Sequence, residues 1–471
     1  MMLPKLYLTN TETHEKEIVR PHDNTIIRYY TCGPTVYDYA HIGNFRTFVF
    51  EDILKRTMLF LGMQVHHVMN LTDIDDKTIR GARAKQVPLD AFTKPYKQAF
   101  FDDIKALNIL PADDYPEATK YIPQMIEMIE TLLQKKIAYQ GADKSIYYAV
   151  STFPQYGKLS HLSLDSLETG ASERVHLDEY SKEEARDFVL WKNHSPERDG
   201  DIFWQSPFGP GRPGWHIECS VMAKALLGDT IDIHAGGVDL IFPHHENEIA
   251  QSEACTGTCF AKLWVHAEHL LVDHKKMSKS LGNFYTLRDL AEKGYTPRAL
   301  RFCFLQTHYR TPLNFTLQAL ASSEVSLKRL QDFIFRLENY KENASTDNVG
   351  VYLDEVLECF ANALSDDLNT SEALACLFDM VRHINNLIDQ GVLSQEDVKA
   401  VIATLKRMDT VLGCLDFQKS DIPQDIQELL HARKAAREAR DWKQSDLLRA
   451  TIMERGYAVE DSPQGQLIKK K

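Results

Sequence analysis

The sequence predicts an α/β fold, in which a Rossmann-type parallel sheet is split by an insertion and followed by an α-helical bundle and a small C-terminal domain. A strand, a turn, a helix and a second strand follow one another between residues 26 and 69, which is the βαβ order of a parallel sheet. A second pair of strands, with a helix between them, lies between residues 230 and 272. After about residue 330 apolar residues recur every three or four positions, the spacing of packed helices.

The elements follow in chain order. The first half of the sheet has two strands around one helix, at 26–31, 41–61 and 65–69. The second half has two strands around a helix that begins at 244, at 230–234 and 263–272. Residues 115–205 between the halves combine helical segments, a strand at 146–150 and polar loops, and a Pro/Gly-rich link at 206–214 closes this insertion. A polar linker at 341–350 interrupts the helical bundle.

Composition favours a cytoplasmic globular protein of several domains. The chain has 471 residues, 44% of them hydrophobic and 26% charged. No stretch approaches the 18 apolar residues of a membrane span, and the N-terminus turns polar within ten residues, so neither a membrane location nor secretion is expected. The eight cysteines are scattered and form no compact disulfide framework.

Charge is distributed unevenly along the chain. The formal net charge of −13 opposes general affinity for polyanions, but from His431 onward ten Lys/Arg face six Asp/Glu. A basic end that holds phosphates is one interpretation, and a solvated charged helix is the other.

The first motif is His41-Ile42-Gly43-Asn44 at the start of the predicted helix. A helix N-terminus offers unpaired N–H groups and partial positive charge, which suit a phosphate. His41 and Asn44 would lie on one face of the first turn, and Gly43 would let a nucleotide approach the backbone. A capped helix with an incidental histidine is the alternative when this motif is taken alone.

The second motif contains Lys276, Ser278, Lys279 and Ser280. Two lysines on a small flexible loop can neutralise a triphosphate as charge moves onto the leaving pyrophosphate, although a surface loop is the commoner explanation in isolation. Together the two motifs resemble the signature pair of class I aminoacyl-tRNA synthetases. We therefore expect ATP binding by His41, Asn44 and this loop, with His41, Asn44, Lys276 and Lys279 as the catalytic residues.

The third motif lies in Pro243-His244-His245-Glu246-Asn247-Glu248. His244 and Glu248 are i and i+4, so on a helix both can face one metal ion. A helix cap or a surface histidine is the alternative, and spacing alone does not identify the remaining ligands.

Four segments carry a closer resemblance, to the cysteinyl-tRNA synthetase family: residues 30–38, 70–77, 213–220 and 236–240. The resemblance runs in order from about residue 3 to 468. It implies one zinc ion per chain held by Cys32, Cys219, His244 and Glu248, and substrate contacts from Gly33, Thr72, Trp215 and Asp239. One departure is Asn44, where the family commonly has histidine; asparagine can donate to phosphate but carries no positive charge.

The resemblance implies a cysteine–tRNA ligase that forms cysteinyl-adenylate from L-cysteine and ATP with Mg²⁺ and then charges tRNA(Cys), acting as a monomer. The expected domains, in chain order, are the first Rossmann half (1–115), the connective insertion (116–205), the second Rossmann half (206–285), a stem-contact region (286–330), the helical bundle (331–420) and an anticodon-binding domain (421–471). Zinc suits this substrate because it binds thiolate far better than hydroxyl, so cysteine is separated from serine without an editing domain.

Two further residue groups have open interpretations. Trp442, with Arg437, Asp446 and Asp461, would read anticodon bases by stacking and hydrogen bonds, or Trp442 would anchor a small core. Asp73, Asp75 and Asp76 suggest Mg²⁺, but a helix cap is the better explanation.

Two other functions remain open at this point. One is the cysteine ligase of mycothiol synthesis, which lacks an anticodon-binding end. The other is a catalytically inactive tRNA-binding relative, which the intact motif residues oppose.

Overall fold

The computed structural model describes residues 4–23, 25–162, 187–278, 281–341, 349–417, 423–462 and 465–470. Two compact units make up the chain. The first contains residues 1–327, 357–377 and 408–414, and the second contains 328–356, 378–407 and 415–471. Among the helices of these described ranges, none has the length and apolar character that a bilayer crossing requires.

The strands in chain order are β1 (Tyr7–Thr9), β2 (Lys16–Ile18), β3 (Ile27–Thr31), β4 (Val65–Met69), β5 (Ala138–Gln140), β6 (Ile146–Tyr148), β7 (Phe188–Asn193), β8 (Gly211–Pro213), β9 (Ile231–Gly237), β10 (Ala261–Ala267), β11 (Leu270–Val272), β12 (Lys275–Lys276), β13 (Leu313–Phe315), β14 (Tyr457–Ser462) and β15 (Gly465–Lys470). The helices are α1 (Ile42–Phe60), α2 (Asp76–Lys85), α3 (Leu89–Ala106), α4 (Ile122–Gln134), α5 (Pro196–Asp199), α6 (Trp215–Leu227), α7 (Glu246–Thr256), α8 (Leu287–Glu292), α9 (Pro297–Leu305), α10 (Leu317–Glu338), α11 (Val349–Ser365), α12 (Thr370–Gln390), α13 (Gln395–Leu412), α14 (Gln424–Glu438) and α15 (Trp442–Glu454).

The predicted split parallel sheet is confirmed. Its strand order is β10-β9-β3-β4, with every neighbouring pair parallel. Tyr30 of β3 stands opposite Val68 on one side and His234 on the other. β3 and β9 are the central strands and are almost wholly buried, as expected for a sheet covered on both faces.

The single strand predicted at 263–272 is wrong, because the chain changes sheets within it. β10 ends at Ala267, and β11 joins a different sheet, where it pairs parallel with β13. The backbone turns at Glu268, whose N–H donates to the Tyr309 carbonyl (2.8 Å). The polar pair Glu268-His269 stands at the break, but polar residues also alternate with apolar ones inside a single strand, so the pair did not identify the end of β10.

The insertion forms an antiparallel sheet of the order β5-β6-β7-β8. Trp191 and Tyr148 of this sheet belong to the same hydrophobic core as Tyr30 and Trp264 of the parallel sheet. β8 lies in the Pro/Gly-rich link, past the predicted end of the insertion at residue 205. The predicted domain limits therefore stay predictions.

A buried ion network anchors α1, the helix that opens with the first motif. Asp52 Oδ2 lies 2.6 Å from Arg301 Nη2 and 2.8 Å from Arg56 Nε, and the Asp52 and Arg301 side chains are fully buried. Arg301 also donates to the carbonyls of Leu412 (2.6 Å) and Leu107 (3.2 Å). Because a buried charge is costly unless it is paired and hydrogen-bonded, this network fixes α1 against the end of α13.

The helical region contains one disulfide, Cys359–Cys376, which links α11 to α12 and which the cysteine spacing did not indicate. In the second unit, the C-terminal helices α14 and α15 pack with the β14–β15 hairpin. Their small core consists of Ile426, Ile452, Tyr457 and Val459. The linker predicted at 341–350 lies mostly outside the described residues.

Candidate active site and metal centre

A cleft of about 530 Å³ opens at the carboxyl ends of the central strands. It forms there because β3, β4 and β9 are parallel, so the residues that follow each strand meet at one edge of the sheet. Among the predicted site residues it is lined by Cys32, Gly33, His41, Asn44, Thr72, Trp215, Cys219, Asp239, His244 and Ser278. Ten of the predicted residues therefore converge on one cavity.

Gly33 lies where the backbone after β3 passes close to the backbone after β4. Its N–H donates to Asn70 Oδ1 (2.9 Å), and a Cβ at this position would lie 1.8 Å from the Asn70 carbonyl oxygen. The Asn70 amide donates in turn to Thr72 Oγ1 (3.1 Å), which donates to Glu218 Oε2 (3.1 Å). This chain of contacts fixes the Thr72 hydroxyl at the floor of the cleft.

His41 is the N-cap of α1, so the capping alternative holds as well as the position in the cleft. His41 Nδ1 accepts from the Asn44 N–H (3.2 Å), and Asn44 Oδ1 accepts from the His41 N–H (3.1 Å). The reciprocal bonds orient both side chains at the helix start. A Cβ on Gly43 would lie 3.0 Å from the His41 ring, which explains the glycine between them.

The second motif begins in β12, which pairs with β11 at the side of the cleft. Lys276 is exposed, and Ser278 lines the cleft, where its N–H donates to Asn283 Oδ1 (2.9 Å). Lys279 and Ser280 lie outside the described residues, so their predicted roles stay predictions.

All four predicted zinc ligands meet in a buried cluster. The Cys32 Sγ lies 3.9 Å from Cys219 Sγ and 4.0 Å from Glu248 Oε1, and His244 Nε2 lies 3.0 Å from the same Glu248 oxygen. His244 stands in the wider turn Ile241–His245 just before α7, not within the helix as predicted. The i and i+4 spacing still brings His244 against Glu248.

A fifth donor, His245, was missed by the sequence analysis. Its Nε2 lies 3.4 Å from Cys32 Sγ, and one donor atom each of Cys32, His244, His245 and Glu248 lies within 4.8 Å of the others. Its Nδ1 is hydrogen-bonded to His266 Nε2 (2.8 Å). The only signal was the adjacent pair of histidines, which does not show which ring faces inward.

Further buried histidines surround the cluster. His234 Nε2 lies 2.9 Å from Glu248 Oε2, and His216 Nδ1 lies 3.0 Å from His244 Nδ1. His234 lies within β9, where a histidine in an apolar strand does not stand out from core residues. These rings fix the orientation of Glu248 and His244, as outer partners of metal ligands do.

The electrostatics of the cluster suit a cation. Burial raises the pKa of Glu248, but His234 and His244 outweigh it and lower the pKa to about 2. Burial also raises the pKa of Cys219, but hydrogen bonds with Cys32 and His244 lower it to about 6. The pKa of Cys32 is raised by burial and by the Cys219 sulfur. Burial lowers the pKa of His244, but Glu248 and Cys219 outweigh this effect and raise it to about 10. The carboxylate and the Cys219 sulfur are therefore stabilised by positive charge on His244, deep in the protein interior.

Trp215 and Asp239 flank this cluster on the cleft side. The Trp215 ring stacks on His244, with centroids 4.2 Å apart and an angle of 22°. Asp239 is exposed in the turn that follows β9. An aromatic wall beside the sulfur cluster and a carboxylate at the opening together suit a small amino acid with a free ammonium group.

The three aspartates after β4 are committed to protein partners. Asp73 accepts from the Thr119 N–H (2.9 Å) and pairs with Lys97 (3.0 Å). Asp75 caps α2 by accepting from Thr78, as the cap interpretation expected. Asp76 pairs with Arg212.

At the C-terminal end, Trp442 is 57% exposed and lies outside the small core, so the core-anchor alternative is wrong. The Arg437 guanidinium lies 5.8 Å from its ring centroid, and Asp446 is exposed on the same helix as Trp442. Asp461 lies in β14, and its side chain is outside the described residues. Base recognition by these four residues stays a prediction.

Comparison with known families gives three matches in chain order. Residues 18–325 match the tRNA synthetases class I (C) catalytic domain, residues 359–416 the DALR domain, and residues 419–468 the cysteinyl-tRNA ligase anticodon binding domain.

Relatives match over the full length. A cysteine–tRNA ligase of Protochlamydia amoebophila is 58% identical over 467 residues, covering 99% of this chain and 98% of the relative. A cysteine–tRNA ligase of Chlamydia muridarum is 54% identical over 475 residues, covering 99% of each. A solved methionyl-tRNA synthetase of Mycobacterium tuberculosis has a TM-score of 0.58 at 15% identity, covering 82% of this chain and 88% of that chain, a likeness of fold alone.

Proposed function

The chain belongs to the cysteine–tRNA ligase family of class I aminoacyl-tRNA synthetases, and we propose that its buried sulfur, histidine and carboxylate cluster holds one zinc ion that selects the amino acid. The protein is an enzyme that joins cysteine to tRNA at the expense of ATP. That activity rules out the alternatives of a mycothiol-pathway ligase and of an inactive relative. What remains to propose is which residues carry the reaction.

The observation that supports a metal is the donor set itself. Cys32, Cys219, His244 and Glu248 are drawn from three separated stretches of chain, yet their donor groups meet in one buried cluster at the cleft. Two sulfurs, an imidazole and a carboxylate are ligands that zinc accepts. A bound zinc ion supplies a soft Lewis acid that favours a thiolate over a hydroxyl.

The residues around the cluster would then orient the substrate. Trp215 covers His244 and forms an apolar wall for the cysteine β-carbon. Asp239 would pair with the α-ammonium group, and Thr72 and Gly33 would line the cleft beside the carboxylate end. Because Trp215, Thr72 and Gly33 are held by the contacts described above, the carboxylate would be presented in one orientation, which is one source of the rate advantage of a bound pair.

In the first step the cysteine carboxylate attacks the α-phosphate of ATP, and pyrophosphate leaves. His41 and the Asn44 amide, at the N-terminus of α1, would stabilise the phosphate oxygens. Lys276 and Lys279 would neutralise the departing pyrophosphate together with Mg²⁺, and Ser278 and Ser280 would hold the loop around it. Since one chain carries all of these groups, we propose that the protein acts as a monomer. We also propose that it acts in the cytoplasm, where its tRNA and ATP are found.

The test is metal analysis combined with cysteine-dependent pyrophosphate exchange. We expect about one zinc ion per chain, and an absorption change on cysteine addition when cobalt replaces zinc. Cys219→Ser should lose most of the metal, whereas the control Cys255→Ser, at a cysteine on the far end of α7, should retain it. A metal-free wild-type protein that still rejects serine would refute the proposal.

A further inference from the structure

Two exposed tyrosines lie in the cleft and take no part in the mechanism above. Tyr37 is 36% exposed and Tyr39 is 43% exposed, and both line the cavity between β3 and α1. Tyr39 precedes His41 by two residues, so their Cα atoms are at most roughly 7 Å apart. The two tyrosine rings therefore lie close enough to the N-terminus of α1 for one nucleotide to contact a ring with its base and the helix with its phosphate.

Cations and a third ring hold these tyrosines in place. The Arg288 guanidinium carbon lies 4.3 Å from the Tyr39 ring centroid, and Arg288 is tied to Asp103 by a 2.9 Å bond. Tyr96 meets Tyr39 edge-on at 5.6 Å. Since one side of the Tyr39 ring is already occupied by a guanidinium and its edge by another ring, the orientation is set before any ligand arrives.

Tyr37 repeats the arrangement. The Lys77 ammonium lies 5.0 Å from the Tyr37 ring centroid, and Lys77 is an exposed residue of α2 that also lines the cavity. The protein as a whole carries a formal charge of −13. Asp38 and Asp239 line the same cavity, so the feature that distinguishes this surface is a cation on each exposed ring, which suits a ligand that has both flat bases and phosphates.

Single-stranded nucleic acid has both of these features. Proteins bind unpaired nucleotides by stacking bases on aromatic side chains and neutralising the backbone with Lys and Arg. We propose that Tyr37 and Tyr39 stack the unpaired bases at the 3′ end of tRNA and thereby position its terminal ribose. This inference rests on the ligase activity and deepens it, because it names the surface that serves the second step.

The second step balances without any further reactant. A terminal ribose hydroxyl oxygen attacks the carbonyl carbon of cysteinyl-adenylate and forms an ester bond. The bond between that carbon and the phosphate oxygen breaks, AMP leaves with the electron pair, and the hydroxyl proton is released. Tyr37 and Tyr39 are positioning residues in this step, since they hold the bases and do not touch the reacting atoms.

The experiment separates the two steps. Tyr39→Ala is compared with Tyr39→Phe, which keeps the ring, and with Tyr139→Ala, a control at an equally exposed (43%) tyrosine of the insertion sheet. We measure transfer from preformed adenylate to tRNA and, separately, cysteine-dependent pyrophosphate exchange. Loss of one stacked base should reduce kcat/KM for tRNA by about 5- to 150-fold in Tyr39→Ala, at least five times more than exchange falls, while Tyr39→Phe and Tyr139→Ala stay near wild type.

A second measurement reports the contact itself. The fluorescence of tRNA that carries 2-aminopurine as its terminal base should be quenched on binding wild-type protein and should recover with Tyr39→Ala or Tyr37→Ala. A raised KM for ATP in exchange with transfer unaffected would assign the tyrosines to the adenine of ATP and overturn the proposal. Equal losses in Tyr39→Ala and Tyr139→Ala, or unchanged quenching in both cleft variants, would also overturn it. Absence of exchange in the wild-type protein would instead contradict the ligase activity.

Discussion

Gly33→Ala should disable adenylate formation without unfolding the protein. A Cβ at this position would lie 1.8 Å from the Asn70 carbonyl oxygen and 3.0 Å from Met69 Cγ. The obstacle is backbone, so the strand-end segment must retreat by about 1.2 Å before the oxygen reaches the 3.0 Å limit of real Cβ contacts. That shift moves Cys32 on one side and the Asn70–Thr72 contact on the other.

A displacement of about 1 Å at a reacting centre costs about 10²-fold in rate, or about 2.7 kcal/mol of barrier. We therefore expect kcat/KM in cysteine-dependent pyrophosphate exchange to fall by about 10²-fold. Gly350→Ala is the matched control, because a Cβ there meets nothing within 4 Å, and its exchange rate should equal that of wild type. If Gly33→Ala kept exchange within threefold of wild type, the close approach would not govern the geometry of the cleft.

Four other changes test separate parts of the structure. Glu248→Gln removes a charge that His234 holds in the cluster; zinc per chain and the preference for cysteine over serine should both fall, the latter at least tenfold, and undiminished zinc would contradict this. Lys279→Ala should slow adenylate formation by about 10²-fold or more while tRNA binding persists, and an unchanged rate would remove Lys279 from the mechanism. Asp52→Ala leaves buried arginines without a carboxylate and should lower the free energy of unfolding by about 3–5 kcal/mol in urea titrations; a loss below 1 kcal/mol would show that the network contributes little. Burial lowers the pKa of His67 to about 3, so below pH 6.5 only the unfolded chain gains this proton and stability falls as pH drops toward 3; His67→Gln should remove about 1.4 kcal/mol of the stability difference between pH 7.5 and 5.5, and an identical pH dependence would disprove the assignment.

The parts of the fold that could be predicted are those that a local pattern specifies. β3, α1 and β4 lie within a residue or two of their predicted limits, because turn-forming residues such as Gly33-Pro34 and Gly62 separate them. The break between β10 and β11 could not be predicted, since the polar pair Glu268-His269 also fits the alternation of a single strand. The turn depends on a hydrogen bond from the Glu268 N–H to the Tyr309 carbonyl, which is distant in sequence.

The site divides in the same way. Residues placed by short motifs, such as His41 and Asn44, are found in the cleft where they were expected. His234 was missed because it reaches the cluster only through the pairing of distant segments, and His245 because an adjacent pair of histidines does not show which ring faces inward. The tyrosines at 37 and 39 were likewise unremarkable until the structure placed cations on their rings.

The pairing of β3 with β9 has a consequence for biosynthesis. The two strands are about 200 residues apart, so the interior strand made first is an open edge until its neighbour leaves the ribosome. At about 5–20 residues per second, the interval from Cys32 to Glu248 lasts roughly 10–40 s. Throughout that time the Cys32 sulfur is without the companions that later enclose it.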